Sequence, residues 1–314
     1  MKWLMGASFA LLACSAAAAG RLHNVIDDAW ANELGYQLSG RLTEVHAVPA
    51  QGNGPRDSLY RNTRLIFSSG EEGRVTLAIG GRHWQTRADD HGYWELQTDQ
   101  ALAADALPAG WHDINSIPAA SGRAGLLVHD PRNTLGLISD IDDTVLVSQL
   151  NDKGQLLRNS LALPPESRKP VNGMAALYKA WVLKNPNPAA TPVFYVSASP
   201  RQLSDGIRRF LQHNGFPRGV LQLKEVSRSS TDPLTDQQAY KVKRIGAILK
   251  AFPAVRFVLL GDDGERDPES YAQLQAQFPT QVAGVWIRRV NPDPKRARIA
   301  GQQDTAELLR SGPP

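Results

Sequence analysis

Three carboxylates fall within four residues at Asp140, Asp142 and Asp143, directly behind the apolar run Leu135-Gly136-Leu137-Ile138. Side chains two apart on extended backbone point the same way, so Asp140 and Asp142 can face one crevice. Carboxylates this close repel one another and resist burial. A hard divalent cation relieves both problems, and oxygen donors of this kind suit Mg²⁺. A carboxylate can also attack phosphorus and carry a phosphoryl group. The plainer alternative is an acidic turn after a strand, because Asp-Asp-Thr is ordinary loop and cap chemistry. Two further polar clusters also follow apolar runs. Ser197-Ala198-Ser199 comes after Pro192–Val196, and Gly261-Asp-Asp-Gly-Glu-Arg-Asp267 comes after Arg256–Leu260.

The elements that must position these groups can be read from periodicity. Leu135–Asp140, Pro192–Val196, Val220–Leu223, Arg256–Leu260 and Gln281–Val290 read as strands. Val171–Leu183, Arg201–His213, Ala239–Phe252 and Pro268–Gln277 read as helices. Alternation of strand and helix implies a parallel sheet with helices on both faces. In such a sheet the carboxyl ends of the strands share one edge. Asp140, Asp142, Ser197, Asp262 and Asp263 should therefore converge. Ser199, just before Pro200, suits a helix N-cap, and Arg201 reads as a surface arginine. The polar connection Asn151–Lys169 is long enough to act as a lid. After Asn291 the chain is polar and basic and reads as a loosely held tail. This α/β unit spans residues 132–314.

Residues 21–131 follow a different pattern. Leu22–Leu34 suits a short helix or arm. Short alternating segments come next at Tyr36–Val45, Arg64–Phe67, Arg74–Ile79, His83–Thr86, Gly92–Leu96 and Ala124–Val128, with turn signals at Gly80-Gly81 and Asp89–Gly92. Strands at this spacing suggest a β-sandwich. Gln51–Arg61 reads as an exposed loop. Trp84, Trp94 and Trp111 are read as core residues. His83, His91, His112 and His129 lack metal-ligand spacing. Asp90-His-Gly-Tyr-Trp-Glu-Leu96 resembles the turn-and-strand signature of immunoglobulin-like accessory modules. The expectation is a passive module that packs on the second unit or positions it near a surface.

Composition sets the remaining bounds. A net charge of +4 would favour anionic substrates or an anionic membrane surface, although at this magnitude a solvated basic surface is the better reading. The charge is not clustered in a way that argues for nucleic acid, and no protein partner is expected. Lys2, the apolar Trp3–Ala13 and the small-residue Ser15–Ala19 read as an export leader over residues 1–19. Leu11-Leu12-Ala13-Cys14 resembles a bacterial lipoprotein signal, so cleavage near Ala19 and lipidation at Cys14 both stay open. Cys14 is the one cysteine, so a mature exported chain would have no intrachain disulfide to stabilise it. The expected location is periplasmic or secreted.

Asp-x-Asp-x-Thr behind an apolar strand resembles the first motif of the haloacid dehalogenase superfamily of phosphotransferases. The longer Ser139–Val145, with Tyr195-Val-Ser-Ala-Ser-Pro200 and Leu260–Pro268, is similar to a narrower group, the phosphatidate phosphatases related to the yeast actin-patch enzyme. The resemblance covers the second half of the chain and implies a Rossmann-like parallel sheet. It implies that Asp140 is the nucleophile, and that Asp142 is the acid and base whose backbone carbonyl also holds the metal. Ser197 and Thr144 would bind phosphate. Asp140, Asp142, Asp262 and Asp263 would form the Mg²⁺ shell, with Asp267 as the alternative to Asp263. A lysine should balance the charge. Spacing to Ile248–Pro253 favours Lys241 over Lys243, although Tyr240 stands where the family often has His. The implied activity is a Mg²⁺-dependent phosphomonoesterase with a phosphatidate or related lipid-phosphate substrate. A phosphatase for soluble esters and a non-catalytic envelope-binding module are the alternatives.

Overall fold

The computed structural model describes residues 21–45, 68–98, 107–120, 122–147, 165–225 and 236–312. The leader expected at 1–19, the loop expected at 51–61, the strand expected at 64–67 and most of the connection at 151–169 lie outside these residues.

Described residues before Asp130 form strands only: β1 (Arg21–Ile26), β2 (Ala29–Ala31), β3 (Tyr36–Val45), β4 (Gly73–Ile79), β5 (Arg82–Ala88), β6 (Tyr93–Thr98), β7 (Gly110–Asp113), β8 (Asn115–Ile117) and β9 (Gly125–Val128). The long β3 organises the larger sheet. β1 and β2 pair with its two halves, and β6 lies along it as well. β5, β4 and β8 make a second, three-stranded sheet. Alternation along β4 turns Val75, Leu77 and Ile79 inward, each at most 1% exposed. They share a core with Leu38, Leu42, Trp94 and Leu126 of the larger sheet. Gly80 and Gly81 both have positive φ, 54° and 80°, which the two-residue turn between β4 and β5 requires.

The helix or arm expected at Leu22–Leu34 is instead β1 and β2. The inward residues of β1 are Asn24 and Ile26, two apart as in a strand rather than three or four apart as in a helix. Asn24 is buried because its Oδ1 accepts a bond from the Trp94 indole at 2.8 Å.

The second half is α/β. β10 (Leu135–Ser139) is followed by α1 (Met174–Val182), β11 (Val193–Pro200), α2 (Ser204–His213), β12 (Val220–Lys224), α3 (Gln237–Ala251), β13 (Arg256–Asp262), α4 (Asp267–Gln277), β14 (Val282–Arg288), β15 (Gln302–Asp304) and α5 (Thr305–Ser311). The sheet order is β12-β11-β10-β13-β14-β15, and every pairing is parallel. Strand alternation divides the core in two. Val193 and Tyr195 pack with α1 and α2 on one face, while Phe194 and Val196 pack with α3 and α4 on the other. The chain leaves β10 in one direction through β11 and β12, then returns to build outward from β13. That reversal puts a crevice at the carboxyl end of β10, where parallel sheets bind ligands.

Residues after Asn291 are not a loose tail. β15 extends the sheet and α5 packs on it, with Leu308 3% exposed. An edge strand covered on one side can be polar, so Gln302-Gln303-Asp304 carries little apolar signal.

The two halves share a buried seam. Trp30 and Leu127 join the core that contains α3. The rings of Trp30 and Phe252 are 5.1 Å apart, and Asn32 donates to the Ala251 carbonyl at 2.8 Å. Among the described residues no helix is long and apolar enough to cross a membrane.

Candidate active site

β10 delivers Asp140 to the crevice with its backbone N–H still bonded to Leu260 O of β13, at 2.8 Å. The chain then winds round the Ile141 carbonyl, which accepts from the N–H groups of Thr144, Val145 and Leu146. Asp143 takes a left-handed φ of 53° in that turn, a conformation unusual for a side chain other than glycine or Asn/Asp. Arg288 at the end of β14 holds it there. Its Nη1 donates to the Asp143 carbonyl at 2.6 Å.

Asp140, Asp262 and Asp267 converge. One oxygen from each lies within 4.8 Å of the others, and all three side chains are buried. Lys241 enters from α3 and stands 2.9 Å from Asp140, and it also donates to Asp267. Lys243 is exposed. Residues two apart on a helix project to opposite sides, so only one of the two can face the sheet. Thr144 is fully buried and donates to Asp140 Oδ2 at 3.3 Å, so its hydroxyl is held by the carboxylate. Ser197, at the end of β11, donates to Asp142 Oδ2 at 3.3 Å.

Asp263 is turned away from the group. Its Oδ1 accepts from the N–H groups of Val290 and Asn291 at 2.6 and 2.8 Å, and its Oδ2 accepts from Arg289 at 2.7 Å. Asp267, the alternative, takes the place among the carboxylates from the first turn of α4. Ser199 also differs from expectation. Pro200 still belongs to β11, and the Ser199 N–H donates to Ser197 Oγ at 3.0 Å rather than the side chain capping a helix. Arg201 is not a surface residue, its side chain being 15% exposed.

The electrostatics are those of an acid-rich pocket. Burial raises Asp140 well above the carboxylate range, against the pull of Lys241, and the charges of Asp267 and Asp262 add to it. Burial lifts Asp142 to about 6, with Glu265 contributing. Asp262 rises to about 7 through burial and the charge of Asp267. Burial opposes the charge on Lys241, but Asp140 and Asp267 outweigh it and hold the amine protonated. Glu265 and Arg168 were not singled out by sequence, yet the charge of Glu265 reaches Asp142 and Lys241, and Arg168 feels Asp142. The acid-dense loop 261–267 carried a signal for Glu265, whereas nothing around Arg168 did. Four carboxylates gathered on one ammonium leave negative charge to be neutralised. An all-oxygen donor set of this kind fits Mg²⁺.

The arrangement can therefore hold a cation, present a carboxylate to an electrophile and supply a proton near neutral pH. Similarity to known proteins falls on the same residues. Residues 135–289 match the family described as phosphatidate phosphatase APP1, catalytic domain. Phosphatidate phosphatase APP1 of Saccharomyces cerevisiae is 35% identical over 156 residues, 49% of this chain and 26% of the yeast protein. An uncharacterized protein of Schizosaccharomyces pombe is 28% identical over 163 residues, 52% of this chain and again 26% of the relative. The chain thus aligns with about a quarter of each relative's length. Among solved structures, the Pnkp1/Rnl/Hen1 complex aligns with 58% of this chain and 50% of its own, at 14% identity and a TM-score of 0.33. Through residues 135–289, which carry Asp140, Asp142, Ser197, Lys241, Asp262 and Asp267, this chain is related to the phosphatidate phosphatase catalytic-domain family.

Proposed function

We propose that the protein is a Mg²⁺-dependent phosphomonoesterase that works through an aspartyl-phosphate on Asp140, with phosphatidate as its substrate. The observation that carries this reading is the meeting of Asp140, Lys241, Asp262 and Asp267 at the carboxyl edge of the sheet, within the segment related to phosphatidate phosphatases. In the first step a carboxylate oxygen of Asp140 bonds to phosphorus while the bond from phosphorus to the ester oxygen breaks. Asp142, whose carboxyl group is raised to about 6, gives its proton to the departing oxygen. In the second step Asp142 takes a proton from water, the water oxygen attacks phosphorus, and the bond to Asp140 breaks. Phosphate leaves and both aspartates are restored. Ser197 donates to a phosphate oxygen, Thr144 orients Asp140, and Lys241 offsets charge on the nucleophile and phosphate. Asp140, Asp262, Asp267 and the Asp142 carbonyl would hold the metal, which supplies charge neutralisation and alignment when bound.

The reading extends to the rest of the chain. The α/β unit is a Rossmann-like fold of the haloacid dehalogenase type, and the β-unit is an immunoglobulin-like sandwich. The leader at 1–19 exports the protein, which then works beside an anionic membrane surface. Replacing Asp140 by Asn should lower Mg²⁺-dependent phosphate release from phosphatidate in mixed micelles by about 10⁴-fold or more. Undiminished release would remove Asp140 from the nucleophile role. Faster release from glycerol phosphate than from phosphatidate would move the substrate class to soluble esters.

A further inference from the structure

Arg201 connects the two halves of the molecule at a point close to the chemistry. It lies four residues behind Ser197, directly after β11, at a turn that follows the slip in the pairing of β11 with β12 between Ser197 and Pro200. Its guanidinium crosses the seam into the β-unit. Nε and Nη2 both bond the Asp27 carboxylate, and Nη2 also donates to Ser39 Oγ at 3.1 Å. Ser39 in turn donates to Asp27 at 2.7 Å. The guanidinium lies over the Tyr93 ring at 5.4 Å, and Arg41 lies over the same ring at 5.1 Å. Glu225, at the end of β12, pairs with Nη1 at 3.5 Å. The arginine is therefore fixed at each nitrogen, mostly by groups of the β-unit. On the other side of the turn, Ser197 Oγ accepts from Ser199 and donates to Asp142. Ser197 is itself paired with Leu223 of β12, so the short segment that links it to Arg201 is held at both ends.

Adhesion alone does not account for this arrangement. A buried ion pair rarely outperforms apolar residues of the same size as glue, but it does impose geometry. The seam also has an independent pair, Arg208 with Asp28 at 2.8 Å, which holds α2 to the β-unit without touching the turn.

We propose that the β-unit is part of the catalytic apparatus, with Asp27 acting through Arg201 as a positioning residue for Ser197. The idea rests on the roles given above to Ser197 and Asp142. In the full chain, Asp27→Asn should lower kcat by about 10- to 100-fold with KM nearly unchanged. Arg201→Lys keeps the charge and loses the two-point grip, so kcat should fall by a smaller factor. Asp28→Asn breaks the neighbouring pair and should leave kcat near wild type. Hydrogen–deuterium exchange across residues 197–204 should quicken in Asp27→Asn and Arg201→Lys and stay unchanged in Asp28→Asn. Equal loss of kcat in Asp28→Asn and Asp27→Asn would overturn the proposal, as would wild-type kcat in both Asp27→Asn and Arg201→Lys. If the wild-type chain releases no phosphate, the assigned reaction is lost. The exchange result then decides alone, and unchanged exchange at 197–204 rejects the positioning role.

Discussion

Two groups of buried charge lie in the α/β unit and at its seam, and they are compensated differently. At the seam, Asp27, Asp28 and Glu225 face Arg201, Arg208 and Arg218, so the signs nearly cancel. In the crevice, Asp140, Asp142, Asp262 and Asp267 face Lys241. Desolvation burdens both groups, and even Asp28 is raised by burial despite Arg208. The difference lies in what is left over. A balanced group completes itself and fixes how two bodies meet. An acid-rich group is incomplete, and its stability at neutral pH depends on a cation or on retained protons. Excess of one sign, more than burial as such, separates the ligand-binding place from the structural one.

The same kind of substitution should therefore act in opposite directions in the two places. The largest effect is expected from Arg208→Met, which leaves Asp28 buried beside the seam without its paired cation. That should cost about 3–5 kcal/mol of stability, read from the urea midpoint. Asp262→Asn removes one charge from the crowded crevice, and the metal-free protein should gain about 0.5–2 kcal/mol. The gain would come with a smaller rise in Tm on adding Mg²⁺ than wild type shows, because stabilisation by a ligand follows its affinity. If both variants lose stability equally, the contrast between the two groups is wrong.

Much of the crevice was legible in the sequence, for reasons that particular residues make clear. Strands of a parallel sheet read as apolar runs, so Leu135–Asp140 and Arg256–Leu260 could be placed, and the acids at and behind their ends mark the shared edge. The choice between Lys241 and Lys243 turned on which way α3 faces, and the structure points Lys241 at the sheet. The sequence reading put Asp263 in the metal shell and Asp267 second, and the structure reverses that order. They are separated by the N–H groups of Val290 and Asn291, which claim Asp263 from 27 and 28 residues away. Arg201 read as a surface residue because Asp27 is 174 positions distant, and no local pattern encodes a partner so remote. β15 was missed because a polar edge strand of three residues has no apolar period to detect.

A third network tests the idea at its weakest point. Asp130 opens the segment that leads into β10, and it is balanced like the rest of the seam. Its oxygens accept from Arg132 at 2.7 and 3.0 Å and from Asn187 at 2.9 Å. The bonds from Arg132 hold its carboxyl far below the usual carboxylate range, against the opposing effect of burial. A carboxyl depressed in the folded state contributes stability above its unfolded pKa of 3.8, and that contribution is lost as pH falls through 3.8 and below. The group should thus favour folding fully at pH 5 and begin to lose that effect as the solution approaches pH 3, the remainder going only at still lower pH. Asp130→Asn removes the titrating group, so its urea midpoint should fall less steeply than that of wild type between pH 5 and 3. The difference should be small, since Arg132 is 71% exposed and solvent weakens the pair. Parallel acid curves for the two proteins would show that Asp130 gains nothing from its partners, and that a matched charge at this join is incidental to how β10 is held.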